Sequence, residues 1–219
     1  MDTILQEMAR SVIEGKRTRV ENLVRQALEA GIAPETILAD GLISAMSEVG
    51  SLFERGEFYV PEMLVAARAM QAGLGVLSPR LVEGGVRMRG KVVIGTVKGD
   101  LHDIGKNLVG MMLQGAGFEI IDLGTDVPPT KFAEAVRDTG AGIVGMSALL
   151  TTTMRNMRSV VEVLEDMGIR DKVKVMVGGA PLTDSFAREI GADGYAPDAS
   201  RAVALADKLV QGTIGHFPS

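Results

Sequence analysis

The 219-residue chain holds two histidines, and the residues around one of them are those a metal ligand needs. His102 lies in Gly95-Thr-Val-Lys-Gly-Asp-Leu-His-Asp-Ile-Gly-Lys-Asn107, with Asp100 before it and Asp103 after it. An imidazole that ligates a metal through one ring nitrogen is commonly held through the other by a carboxylate, and either neighbour could serve. There is no cysteine, which excludes disulfides, thiolate zinc sites, cysteine-ligated clusters and thiol nucleophiles. With only His102 and His216 present, a multi-histidine metal cage is excluded as well. Chemistry therefore falls to carboxylates, hydroxyls, backbone groups or a bound cofactor.

Three further stretches carry polar and glycine residues at corresponding places: Ser147-Ala-Leu-Leu-Thr-Thr-Thr153, Gly178-Gly179-Ala-Pro181 and Tyr195-Ala-Pro-Asp198. Each follows a short apolar run. Ser147 and Thr151–Thr153 fit either a helix cap or ligand contact, because a helix N-terminus leaves N–H groups unpaired in both cases. Gly178-Gly179 fits a turn with positive φ, or a surface that a flat ring could approach closely. The glycines near His102 do not spell a dinucleotide fingerprint, and no phosphate-binding Gly-Lys-Ser/Thr occurs. A phospho-acceptor domain would need an aspartate where Ser147 ends its strand.

The elements that must position these residues divide the chain in two. Residues 1 to about 83 show helical periodicity only, in four segments near 2–14, 17–30, from Pro34 to Phe53, and after Pro61. Ile37, Leu38, Leu42, Ile43, Met46, Val49 and Phe53 share one stripe; Met63, Ala66, Ala67, Met70, Leu74, Leu77 and Leu81 share another. This predicts a four-helix bundle. Gly84–Gly90 reads as a linker and a plausible hinge, which sets the domains at 1–88 and 89–219. Beyond it, strands are predicted near 91–97, 118–121, 142–147, 173–177 and 193–195. They alternate with helices near 105–116, 130–139, 151–167, 183–190 and 199–211. Five βα units imply a Rossmann-like, flavodoxin-like five-stranded parallel sheet, α/β in class, preceded by the all-α domain. With strand order 2-1-3-4-5, the crevice falls at the carboxyl ends of strands one and three, where His102 lies.

The net charge of -5 and the lack of a basic stripe argue against nucleic acid as the main partner. No uninterrupted apolar run reaches the ~18 residues of a membrane span, and the N-terminus is not a signal peptide, so a cytoplasmic protein off the membrane is expected.

Taken together, Asp100-x-His102-x-x-Gly105, Ser147-x-Leu149 and Gly178-Gly179 resemble the signature of cobalamin-binding Rossmann-like domains. The helical half, with Gly56-Glu-Phe-Tyr-Val-Pro-Glu-Met63, is similar to the cap domain of corrinoid methyltransferases. The likeness covers nearly the whole chain and is greatest to the free-standing corrinoid proteins of methanol, methylamine and methoxyaromatic demethylation, and to the cobalamin module of methionine synthase. It implies cobalamin, as methylcobalamin or another corrinoid, bound base-off with His102 as the cobalt ligand. Asp100 would hold the second ring nitrogen, and Thr153 would extend that relay where a serine is usual in the family. Gly99, Leu101, Asp103, Ile104 and Gly105 would line the corrin beside His102. Ser147, Leu149, Thr151, Gly178 and Gly179 would take the nucleotide tail, with Tyr195 and Ala196 closing its far end. The cap would cover the methyl-bearing face through Tyr59, Val60 and Met63, with Phe58 an alternative to Tyr59.

The same resemblance implies a methyl-carrying subunit rather than a stand-alone enzyme, since no substrate barrel is encoded. Its partners would be a donor-specific methyltransferase, an acceptor methyltransferase using a thiol or tetrahydrofolate, and a reductive activase. Two other readings use the same fold: a cobalamin-dependent sensor, and the cobalamin subunit of an adenosylcobalamin mutase. The form of the cofactor separates them, methyl for the carrier and adenosyl for the others.

Overall fold

Apolar residues at helical spacing wind the N-terminal segment into four helices. The structure, a computed structural model, describes residues 2–83 and 89–213. Helices α1 (Asp2–Ile13) and α2 (Arg17–Glu29) are followed by a continuous helical stretch of α3 (Pro34–Thr36), a π-helical segment (Ile37–Ile43) and α4 (Ser44–Glu54). Helix α5 (Val60–Glu83) completes the set, with Pro61 in its first turn. The periodicity predicts the third helix but not its π-helical segment. That segment lies against α1 at Gly41, where a Cβ would sit 2.7 Å from Met8 Sδ. The stretch Pro34–Phe53 is apolar and long enough by composition to cross a membrane, unlike the uninterrupted runs sought in the sequence. Its Ile37, Leu38, Leu42, Met46 and Val49 are nevertheless buried core residues.

The chain divides into two compact units, one comprising Met1–Met88 with Gln114–Gly117, the other Arg89–Leu113 with Phe118–Ser219. Most of the Gly84–Gly90 linker lies outside the described residues.

The second unit alternates β1 (Lys91–Thr96), α6 (Ile104–Gly115), β2 (Glu119–Asp122), α7 (Pro129–Thr139), β3 (Ile143–Ser147), α8 (Asn156–Asp166), β4 (Lys174–Gly178), α9 (Asp184–Glu189), β5 (Gly194–Ala196) and α10 (Ala199–Thr213). The strands form one parallel sheet in the order β2-β1-β3-β4-β5, as the alternating pattern predicts. The interior residues of β1, β3 and β4 are buried without a break, which is why these strands read as continuous apolar runs. Phe132, Val144, Met157, Val160, Leu164, Val175 and Ala187 fill one core around the sheet.

Register decides what reaches the site. Thr96 pairs with Ser147, Ser147 with Gly178, and Gly178 with Ala196, so one transverse row marks the carboxyl ends of four strands. The loops after β1, β3, β4 and β5 all leave from that row.

A buried cation ties α6 to the sheet beside this edge. The Lys106 side chain is 2% exposed, and its Nζ donates to Asp122 Oδ1 and Oδ2 at 2.7 and 2.5 Å and to Asn107 Oδ1 at 2.7 Å. Removing both charges from such a pair costs little, whereas removing one strands the other. Lys106→Met removes the buried charge and leaves only Asp122, which at 44% exposed stays hydrated, so it is expected to change the unfolding free energy by less than about 1 kcal/mol. Asp122→Ala is expected to cost about 2 kcal/mol, short of a wholly buried pair because Asp122 is 44% exposed. Urea midpoints of the two variants check the asymmetry.

Candidate functional site

β1 ends at Thr96 and α6 begins at Ile104, so residues 97–103 must turn the chain at the carboxyl edge of the sheet. The turn is tight: Asp100 N–H donates to Val97 O at 3.1 Å, and Gly99 has φ +81°, which glycine adopts without a Cβ penalty. The buried Thr96 hydroxyl then donates to His102 O at 2.9 Å, which fixes the backbone of the histidine itself.

Asp100, fully buried, is the hub. Its Oδ1 accepts from His102 N–H at 3.1 Å and lies 2.7 Å from His102 Nδ1. Its Oδ2 accepts from Leu149 N–H at 2.8 Å, Leu150 N–H at 3.3 Å and the Thr153 hydroxyl at 2.6 Å. Burial pushes the Asp100 carboxyl up, but donors from Thr153, Leu149 and His102 outweigh it and hold the group well below the usual carboxylate range. An ionised Asp100 can only accept, so in the neutral ring the proton sits on Nδ1 and Nε2 keeps its lone pair. His102 is half exposed, at 51% of its side chain, and its Nε2 has no hydrogen-bond partner among the described residues.

The loop after β3 is organised by the same carboxylate. The sequence predicts a helix from 151, but α8 starts at Asn156, and residues 151–155 form turns. Thr153 does not cap that helix: its hydroxyl is committed to Asp100 and to Leu150 O. Bonds from Asp100 to two backbone N–H groups and one hydroxyl hold the segment in turns, outweighing its helical pattern.

Several predicted site residues gather around His102. Leu101, Ile104 and Leu149 are large apolar side chains left exposed there, as is Leu150, which the sequence reading did not single out; Asp103 and Gly105 are also exposed. A Cβ on Gly105 would meet nothing within 4 Å. Ser147 is half-buried and Thr151 exposed. Of the two glycines, Gly179 has φ +136°, and a Cβ there would lie 1.9 Å from Ala148 O; at Gly178 it would lie 3.1 Å from Ala196 O. Both therefore answer first to neighbouring backbone, and the β3 and β4 loops are joined by Ala148 N–H to Gly178 O at 3.3 Å. Tyr195 is half-buried against the sheet core and Ala196 is buried. In the helical unit, Tyr59 is exposed, Phe58 and Val60 are half-buried, and Met63 is wholly buried.

Sequence reading missed Thr96, Lys106, Asn107, Asp122, Asp126 and Asn156. Only Thr96 left a signal, a hydroxyl closing an otherwise apolar strand; the others act across turns that no sequence spacing records.

This donor set suits a particular kind of metal. Among the described residues no three His, Asp or Glu side chains converge as a cage, yet one nitrogen is presented with its tautomer fixed. Exposed leucines and an isoleucine lie on the same two loops, those that carry His102 and that bond to Asp100. A metal whose other positions are filled by a broad, flat macrocycle fits such a site, since the ring covers the apolar rim and needs one axial ligand.

Comparison with known proteins agrees. Two sequence profiles, each described as a B12 binding domain, match residues 90–204 and 4–78. Dimethylamine corrinoid protein 3 of Methanosarcina acetivorans is 47% identical over 210 residues, spanning 96% of this chain and 98% of that protein. Among solved structures, a cobalamin-binding protein from Desulfitobacterium hafniense superposes with a TM-score of 0.78 at 30% identity, over 94% of this chain and 98% of its own. The methanol:cobalamin methyltransferase complex MtaBC of Methanosarcina barkeri gives 0.85 at 30% identity, over 97% of this chain and 81% of the matched one. With B12 binding domain profiles matching both parts of the chain and 47% identity to a corrinoid protein along nearly its whole length, the chain belongs to the family of cobalamin-binding corrinoid proteins of methyltransferase systems.

Proposed function

We propose that the chain is a methyl carrier that holds its corrinoid base-off with His102 as the lower ligand. It would serve a methyltransferase that takes methyl groups from a methylated amine and a second that delivers them to a thiol or folate. When bound, the cobalt supplies the centre that accepts a methyl group and gives it up. The observation that carries the reading is the fixed His102 tautomer, with Nδ1 on the ionised Asp100 and Nε2 uncommitted at the sheet edge. Asp100 orients the ring as a ligand, and Thr153 keeps the carboxylate charged. Leu101, Ile104 and Leu149 offer the apolar bed, with Gly99, Asp103 and Gly105 at its edge. Ser147, Thr151, Gly178, Gly179, Tyr195 and Ala196 lie on or just beyond the strand ends, where a nucleotide tail would enter. In the helical unit Tyr59 and Val60 would be the corresponding contacts, whereas Met63 is wholly buried and has no side-chain surface to offer one.

The choice of a methylated amine rests on the dimethylamine corrinoid proteins of Methanosarcina, which match along nearly their full length. A reductive activase would restore the cofactor after oxidation.

The test is the visible spectrum of the full-length protein with methylcobalamin, compared with His102→Ala. The wild type is expected to retain the cofactor with a nitrogen-coordinated spectrum, and the variant to show the uncoordinated, base-off form. A wild type that retains no cobalamin, or a variant with an unchanged spectrum, would overturn the assignment. Loading with methylcobalamin also allows methyl delivery to a thiol to be followed with an acceptor methyltransferase.

A further inference from the structure

Asp126 is the one described non-glycine residue with positive φ, at +54°. Left-handed backbone costs an L-residue roughly 1–2 kcal/mol, and such conformations persist where surrounding structure over-determines them. What holds Asp126 there is a set of contacts to the turn that precedes His102. Its Oδ1 accepts from Gly99 N–H at 2.7 Å, and its own N–H donates to Asp100 O at 3.0 Å. The next residue, Val127, bridges Val97 and donates its N–H to Thr96 O at 3.0 Å, which delivers Asp126 to the turn. From another side, Asn156 Nδ2 donates to Lys98 O at 2.6 Å.

Three consecutive residues, Lys98, Gly99 and Asp100, are thus gripped on backbone atoms by the loop after β2 and by the first residue of α8. The grip matters because Asp100 has to serve two places at once. Its Oδ1 must reach His102 Nδ1 while Oδ2 stays on Leu149, Leu150 and Thr153. A rotation of the 98–100 turn would move both bonds and swing the imidazole with them. Asp126 itself is exposed and contributes no buried side chain to the core, so its two bonds to the turn are the visible return on its strained backbone.

We propose that Asp126 is a positioning residue for the cobalt ligand: by clamping Gly99 and Asp100 it fixes where His102 Nε2 points. This rests on His102 being the lower ligand, as proposed above. Asparagine keeps both the acceptor oxygen and the tolerance for left-handed backbone. Glycine keeps the backbone tolerance and removes the acceptor. The pair separates clamping from strain.

The experiment loads the full-length wild type, His102→Ala, Asp126→Asn and Asp126→Gly with methylcobalamin. It reads the ratio of nitrogen-coordinated to base-off cofactor from the visible spectrum, with urea midpoints measured in parallel. Asp126→Asn is expected to match the wild type. Asp126→Gly is expected to retain cobalamin and an unfolding midpoint near the wild type, with the coordination ratio lowered roughly tenfold, as for loss of a ligand-orienting partner. Free imidazole is expected to restore its nitrogen-coordinated spectrum. The proposal is overturned if Asp126→Gly keeps the wild-type ratio, if Asp126→Asn falls as far as Asp126→Gly, or if either variant fails to fold or to bind cobalamin at all. If instead wild type and His102→Ala share one spectrum, it is the ligand assignment that fails, whatever the Asp126 variants do.

Discussion

Replacing Asp100 with alanine is expected to lower the unfolding free energy by about 3 kcal/mol or more, and to abolish histidine coordination of added cobalamin. The carboxylate accepts from two side chains and three backbone N–H groups in a site closed to solvent. Alanine leaves the partners inside that pocket unsatisfied, at about 1–3 kcal/mol for each donor that water cannot reach. His102, half exposed, recovers water on its ring but loses the acceptor that fixed its tautomer. Urea unfolding at neutral pH measures the first effect, and the methylcobalamin spectrum measures the second. A variant within about 1 kcal/mol of wild type would show that the carboxylate is not the organiser of the 149–153 loop.

Acid separates the charge of Asp100 from its shape. Its folded-state acidity lies well below that of the unfolded chain, so the ionised form contributes stability above the ordinary carboxylate range. That contribution is lost as pH falls below about 4 towards the depressed folded value. Asp100→Asn cannot ionise and has nothing to lose there. The stability gap between wild type and Asp100→Asn is therefore expected to be widest near neutrality and to narrow from about pH 4 downward. Urea midpoints at stepped pH values check this. A gap that is flat or widens in acid contradicts it.

The second large effect is at Gly179. Alanine there must adopt φ +136° and place its Cβ 1.9 Å from Ala148 O. Backbone on both sides has to shift, and the β3–β4 loop contact through Ala148 and Gly178 goes with it. A loss of at least about 3 kcal/mol is expected, in the range reserved for backbone incompatibility. Gly140, which ends α7 at φ +67° with open space around it, is the control. Gly140→Ala carries only the cost of left-handed backbone, about 1 kcal/mol. Thermal unfolding of the two variants side by side should show a gap of several degrees. Equal midpoints would mean that the close approach at Gly179 relaxes freely.

The two halves of the chain were legible for different reasons. The helices could be read because each buries one stripe, and burial of a stripe leaves a 3.6-residue period in the sequence. The strands could be read because a parallel sheet covered on both faces demands runs such as Val92-Val-Ile94 and Ile143-Val144. The order of elements then placed His102 at the carboxyl edge, and Asp100 stood two residues away, within the same turn. Thr153 was harder. Its place in a Thr-Thr-Thr run also fits a helix start; the resemblance pointed to a relay through Asp100, and the observed turn brings its hydroxyl onto that carboxylate. The glycines at 178 and 179 were visible as glycines, but nothing in the sequence says that Ala148 and Ala196 oxygens press against them.

By itself the sequence narrowed the kind of chemistry, because no cysteine and two histidines exclude thiolate sites and a multi-histidine cage. It also determined the fold class and the edge on which His102 sits, since both follow from periodicity along the chain. Only the tertiary structure decided how His102 is held. The Asp100 bonds to Leu149, Leu150 and Thr153, the Asp126 clamp on Gly99, and the Lys106 pair with Asp122 join residues 16 to 53 positions apart. Such bonds form because strand register and loop closure bring distant backbone together, and one hydrogen bond between loops imposes no repeat on the sequence that could announce it.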